Sequence, residues 1–147
     1  MKKKNILFIV LILGIVIVAV LFLGRSCKNE GLDGTWAWDG GEMTISGASG
    51  KFSEIDSGLW LNALNQQMVT IGSSKLRNIS QTENNKWTCS QIGACPDGDN
   101  KVNSIFWVDN CTMSLSENGD TLRIVGDLPA CGNAQGREGL AVYMRKK

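Results

Sequence analysis

Histidine is absent from all 147 residues. That absence removes Ser-His-Asp and Cys-His nucleophile systems, His-ligated zinc and any imidazole base working near neutral pH. Proline is almost absent too, at two residues, so the chain is not a proline-rich linker or ligand. Beyond residue 24 no stretch carries the apolar period of a long helix, which leaves little to cover an open sheet. Positive charge is scarce where binding to phosphates would need it. Residues 1–28 hold five Lys and Arg and no acid, whereas the remaining part has ten Lys and Arg against fourteen Asp and Glu, a balance of −4 hidden under an overall +1. A mildly acidic body has no basic surplus to neutralise a phosphate backbone, so nucleic acid is not an expected partner.

What is present begins with an apolar run. Residues 6–23 are uncharged and apolar apart from Gly14. A helix over Ile6–Gly24 spans roughly 28 Å, close to the hydrocarbon thickness of a bilayer. The reading is a basic cytoplasmic tail at 1–5, a transmembrane signal-anchor at 6–24, a connector at 25–31 and a folded domain at 32–147. A cleavable signal usually has a shorter apolar core and a small-x-small exit, whereas this exit reads Gly24-Arg25-Ser26-Cys27. A lipoprotein signal with Cys27 acylated and simple secretion are the other readings. Lys2, Lys3 and Lys4 favour a cytoplasmic N-terminus, so the expected location is a single-pass membrane protein with its C-terminal domain extracytoplasmic, in the periplasm or on the cell surface.

Cysteine usage fits that compartment. The domain has four cysteines, Cys89, Cys95, Cys111 and Cys131, and an even number in a small outward-facing domain suggests two disulfides. Their wide spacing argues against a four-cysteine zinc site, which needs close knuckles, and no metal is expected. Three pairings are possible; Cys89–Cys95 with Cys111–Cys131 is favoured because each would tie neighbouring segments.

From Leu32 onward, short runs rich in β-branched and aromatic residues are cut by Gly, Asn, Asp and Ser. Strands are expected at Thr35–Trp38, Glu42–Ser46, Lys51–Ile55, Met68–Ile71, Lys75–Ser80, Lys86–Gln91, Ser104–Val108, Thr112–Glu117, Thr121–Gly126 and Leu140–Arg145. They count eight to ten, depending on merging. Leu59–Asn65 is ambiguous, at most two helical turns. Met113 and Leu115 alternate with serines before Asn118-Gly119, and Leu122 and Ile124 alternate after it, which reads as a hairpin with a type I′ turn. The four apolar residues would share one face. One dry face per strand and no covering helix give an all-β fold, a small antiparallel up-and-down barrel after one N-terminal transmembrane helix.

Asp33-Gly34-Thr35-Trp36 opens the first strand and Tyr143-Met144-Arg145 lies in the last. Together they resemble the lipocalin-like (calycin-type) group, with a Gly-x-Trp motif at the start and an arginine in the closing strand. Ser46-Gly-Ala-Ser-Gly-Lys-Phe52, with Trp60, Ile71-Gly72 and Asn78-Ile79 following, is similar to uncharacterised bacterial envelope proteins of that kind. The resemblance covers about residues 31–146. It implies a barrel whose closed end is plugged by Trp36, with Gly34 and Arg145 as structural partners and the guanidinium on the indole face. By alternation alone, Leu140, Val142 and Met144 form the more apolar face of the last strand, which turns Arg145 outward unless a bulge intervenes.

Five tryptophans are many for so small a domain. Trp38, Trp60, Trp87 and Trp107 are the candidate ligand-binding residues, since flat apolar faces line cavities for lipids, sugars or aromatic rings; filling a core is the commoner use of the residue. Glu54 and Asp56, with Asp39 and Glu42, could supply a glycosidase pair, but solvated strand carboxylates are ordinary. Pro96-Asp97-Gly98-Asp99-Asn100 lacks the twelfth-position carboxylate of a calcium loop, where Val108 stands. Asn78-Ile-Ser80 and Asn110-Cys-Thr112 have the form of glycosylation sequons. No catalytic constellation and no cofactor motif emerges. The expected function is non-catalytic binding of a small apolar or amphipathic ligand; the alternative is an envelope-protein interaction or inhibitor module with a filled barrel.

Overall fold

The computed structural model describes residues 31–97, 101–131 and 135–147, so the anchor expected at 6–24 lies outside the described residues. Among those described, no helix is long and apolar enough to cross a membrane. The elements are β1 (Gly34–Trp38), β2 (Gly41–Ser46), β3 (Ser49–Ile55), α1 (Gly58–Asn65), β4 (Ser74–Glu83), β5 (Lys86–Pro96), β6 (Val102–Leu115), β7 (Thr121–Leu128) and β8 (Arg137–Arg145). The strands form a closed barrel in sequence order, every neighbouring pair antiparallel. The expected all-β, up-and-down closed barrel is therefore what the chain builds. Closure removes the unpaired edges an open sheet would leave.

The seams are unequal. β5 and β6 pair along almost their whole length, while β1 meets β8 only through Trp36 opposite Arg145 and Ala37 opposite Met144. β3 meets β4 at just Gly50 opposite Leu76 and Lys51 opposite Ser74. The two expected strands Ser104–Val108 and Thr112–Glu117 are one continuous β6, bent rather than interrupted. Met68–Ile71 is not a strand; it belongs to the turns that return the chain from α1 to β4. The ambiguous Leu59–Asn65 segment is helical, and α1 packs its half-buried apolar side chains on the end of the barrel opposite Trp36.

Bends in the long strands come from asparagine. Between the Cys89–Cys111 and Gln91–Val108 pairs, β6 has two residues where β5 has one, and Asn110 there takes φ 58°. Between Arg77–Ser90 and Ser80–Thr88, β4 likewise carries an extra residue, and Asn78 takes φ 56°. Left-handed backbone at a bulge favours asparagine among side-chain-bearing residues. Both sequon-like triplets thus mark bulges.

The β6–β7 hairpin has the expected register, with Met113 opposite Ile124 and Leu115 opposite Leu122. Its turn differs from type I′, which needs positive φ at both Asn118 and Gly119. Only Gly119 is positive, at 73°, and its N–H bonds the Ser116 carbonyl at 2.9 Å. The loop is a type I turn closed by a left-handed glycine, a three-to-five-residue connection that suits the strand twist equally well. Ser116, Asn118, Asp120 and Thr121 side chains bond among themselves and hold it.

The interior divides into two apolar clusters. One gathers Trp36, Met43, Ile45, Leu76, Trp87, Met113, Leu122, Ile124 and Tyr143 in the barrel; the other gathers Phe52, Ile55, Ala63, Val69, Ile92 and Val102 under α1. Trp38 packs against both.

Candidate functional site

At the end of the barrel away from α1, Trp36 is fully buried and its indole N–H donates to the Leu32 carbonyl at 2.9 Å. Arg145 lies over it, the guanidinium carbon 4.3 Å from the ring centroid. The same guanidinium donates to the carbonyls of Gly119 (2.7 Å), Asp33 (2.9 Å) and Gly31. Gly34 makes room: a Cβ there would stand 2.9 Å from an Arg145 nitrogen. Gly34, Trp36 and Arg145 are thus in mutual contact and join the chain entering the barrel to the β6–β7 turn. The alternation reading of β8 is corrected. No bulge intervenes between β7 and β8, yet Tyr143 is buried and Arg145 half-buried, while Leu140, Val142 and Met144 face solvent. The ring stack and the three carbonyls hold Arg145 inward, and Leu140, Val142 and Met144 are left in a row on the solvent face of β8.

Toward the other end the barrel is not filled. A cavity of about 340 Å³ lies among β5 to β8, with Ile92, Ala94, Phe106, Val108, Ile124 and Leu128 on its wall and Trp60 of α1 beside them. Its polar fringe is Gln91, Gln135 and Arg137. Gly126, Gly139 and Ala141 also border it; the two glycines let neighbouring walls close in, since a Cβ on Gly126 would stand 2.5 Å from the Cys111 sulfur and one on Gly139 2.6 Å from Leu128 Cδ1. An apolar wall with a few polar groups is the usual composition of a small-molecule site.

Behind Trp60 sits Lys75, the second residue of β4. It is 1% exposed. Its Nζ lies 4.3 Å from the Trp38 ring centroid, 4.3 Å from Trp60, 4.9 Å from Phe52 and 5.8 Å from Tyr143. The rings also pack on one another, Trp38 edge-on to Phe52 and Tyr143, and Trp60 tilted on Phe52 at 5.1 Å. No hydrogen bond or ion pair to Lys75 Nζ occurs among the described residues. Four ring faces favour the cation, but burial without a counter-charge disfavours it more, and the amine is pushed down to about 7. A sequence signal for this was missing. Plain alternation puts Lys75 and Arg77 on one exposed face; instead, Gly50 faces Leu76 and Lys51 faces Ser74, leaving Lys75 as an extra residue in β4 that turns inward beside Leu76.

Gln91 links the cage to the cavity. It lines the cavity, and its amide donates to the Tyr143 hydroxyl at 3.0 Å; burial pushes that phenol upward, so it stays protonated. Of the four candidate ligand tryptophans, Trp38 and Trp60 are together around Lys75, and Trp60 alone reaches the cavity. Trp87 is buried in the barrel core and its indole N–H has no hydrogen-bond partner among the described residues. Trp107 carries the Arg77 guanidinium at 3.9 Å and does not border the cavity.

The favoured disulfide pairing is corrected. Cys95 joins Cys131, residues 36 apart in sequence, with Cα atoms 5.6 Å apart. Cys89 and Cys111 are buried free thiols, directly opposite each other on β5 and β6. Proximity in sequence misled: β5 carries Cys89 and Cys95 in one extended strand, too stretched for a bridge, and Cys111 lies well inside the barrel while Cys131 follows the end of β7. Both Cys111 and Cys131 border the cavity. The Cys89 thiol hydrogen-bonds Cys111, which lowers the second sulfur's pKa and raises the first's. Glu42 forms an exposed ion pair with Lys146, and Glu54 stands opposite Glu42 across β2–β3. Among the described residues no group of three or more His, Cys, Asp or Glu is placed to hold a metal ion. Comparison with protein-family models, with curated proteins and with solved structures found no match in any of the three.

Proposed function

We propose that this chain is a membrane-anchored, extracytoplasmic, lipocalin-like domain that binds a small apolar or amphipathic ligand and is non-catalytic. The observation that carries the reading is the 340 Å³ cavity with its largely apolar wall. An interaction module with a filled barrel has no use for such a void, which costs contacts on every side. The arrangement of Gly34, Trp36 and Arg145 at the far end supports the lipocalin-like assignment. The membrane assignment rests on the apolar run at 6–24 and the lysines before it.

The test uses N-phenyl-1-naphthylamine, a neutral fluorescent probe of apolar sites, with the full-length chain. Saturable binding that weakens in Ala141→Leu, which extends a side chain into the cavity, supports the reading. Binding that is absent, or indifferent to Ala141→Leu in a folded variant, overturns it.

A further inference from the structure

We propose that the cavity's ligand is an apolar aldehyde and that Lys75 holds it covalently as a Schiff base. The inference rests on the cavity reading above and deepens it. Three observations on separate elements meet here. A lysine 1% exposed has no anion and no hydrogen-bond acceptor on it among the described residues. Aromatic faces from β1, β3, α1 and β8 surround its nitrogen at 4.3–5.8 Å. One of those rings, Trp60, is also cavity wall, so the cage and the void share a side chain.

The chemistry of the cage selects the ligand class. A carboxylate or phosphate would enter against the negative faces of four rings, which repel it. An aldehyde enters neutral. The amine lone pair attacks the carbonyl carbon, and the carbon–oxygen double bond opens to a carbinolamine. Loss of one water then forms the carbon–nitrogen double bond: aldehyde plus amine gives imine plus water, with no oxidant or reductant. The imine forms neutral and so needs no counter-charge in the cage; the iminium that a hydride reagent captures arises when it takes one proton from solvent. Desolvation of the amine, with Tyr143 the titratable side chain among those facing it, leaves a lone pair free for the attack. The aldehyde's alkyl part occupies the cavity.

Octanal is the probe. The full-length chain is mixed with one equivalent at neutral pH and reduced with sodium cyanoborohydride, which fixes imines as secondary amines, and the adduct is mapped by peptide mass spectrometry. The expected result is a single alkyl increment at Lys75 in preference to exposed Lys51, Lys86, Lys101, Lys146 and Lys147. Its loss in Lys75→Met, with N-phenyl-1-naphthylamine binding retained, supports the proposal. An adduct spread over the surface lysines while the dye still binds overturns the Schiff base and leaves the cavity reading intact. Failure of the unsubstituted chain to bind the dye overturns the cavity reading and this inference with it. The map on the unsubstituted chain is decisive even if Lys75→Met does not fold.

Discussion

Trp36 and Lys75 show how far one side chain's environment depends on its neighbours in space. Trp36 fills the closed end, bonded to Leu32 and covered by Arg145, and Trp36→Ala should cost on the order of 3–5 kcal/mol. Thr35, half-exposed and opposite Thr44, should lose no more than about 0.5 kcal/mol on Thr35→Ala. Urea midpoints of the two variants measure the contrast; equal small losses would refute the plug. Lys75 acts in the opposite sense. Its folded-state pKa, about 7, lies below the ordinary 10.5, so between those values the unfolded chain binds the extra proton and stability rises with pH. Below about 7 both states are protonated and the full penalty of the buried ammonium applies. Lys75→Met should therefore be more stable than the parent at neutral pH and below, and should flatten the stability profile across that window. Denaturant titrations at several pH values check this, and a Lys75→Met profile that kept the slope would assign it to other groups.

At the scale of elements, the bulges do the shaping. The Asn110 bulge bends β6, and beyond it Gln91 and Val108 continue the inward face that Cys89 and Cys111 occupy before it. A β-branched residue fits left-handed backbone poorly, so Asn110→Val should cost about 1–2 kcal/mol, while Asn110→Gly should be near neutral. Thermal unfolding of the pair measures it, and equal losses would mean that the asparagine side chain, not its backbone angle, matters. The β3–β4 irregularity has the larger functional consequence, because it alone places Lys75 inside. Hairpin β6–β7 was legible from alternation and Asn118-Gly119, but the turn type was not. Gly119 needs positive φ in either geometry, so the dipeptide marks a reversal without choosing between them.

For the whole molecule, the Cys95–Cys131 bridge ties the end of β5 to the segment between β7 and β8, beside the cavity. Closing a span of 36 residues should contribute roughly 3–4 kcal/mol by restricting the unfolded chain. Cys131→Ser should lower the denaturant midpoint accordingly and leave Cys95 open to alkylation. Peptide mapping without reductant should return the Cys95–Cys131 pair, with Cys89 and Cys111 alkylated only after unfolding; a Cys89–Cys111 bridge would contradict the dithiol.

The sequence alone determined the all-β class and the order of most strands, because an alternating apolar face and a turn residue act over a few neighbours and can be read locally. The same holds for the exclusion of histidine chemistry. Contacts between residues distant in sequence were decided only by barrel closure. Arg145 reaches Trp36 because β8 meets β1, Cys95 finds Cys131 because two strand ends converge, and Lys75 enters its cage because one extra residue in β4 reverses the alternation. The cavity belongs to the same class. It is a volume enclosed by side chains of several strands, and no local pattern records the space between side chains that meet only when the sheet curls shut.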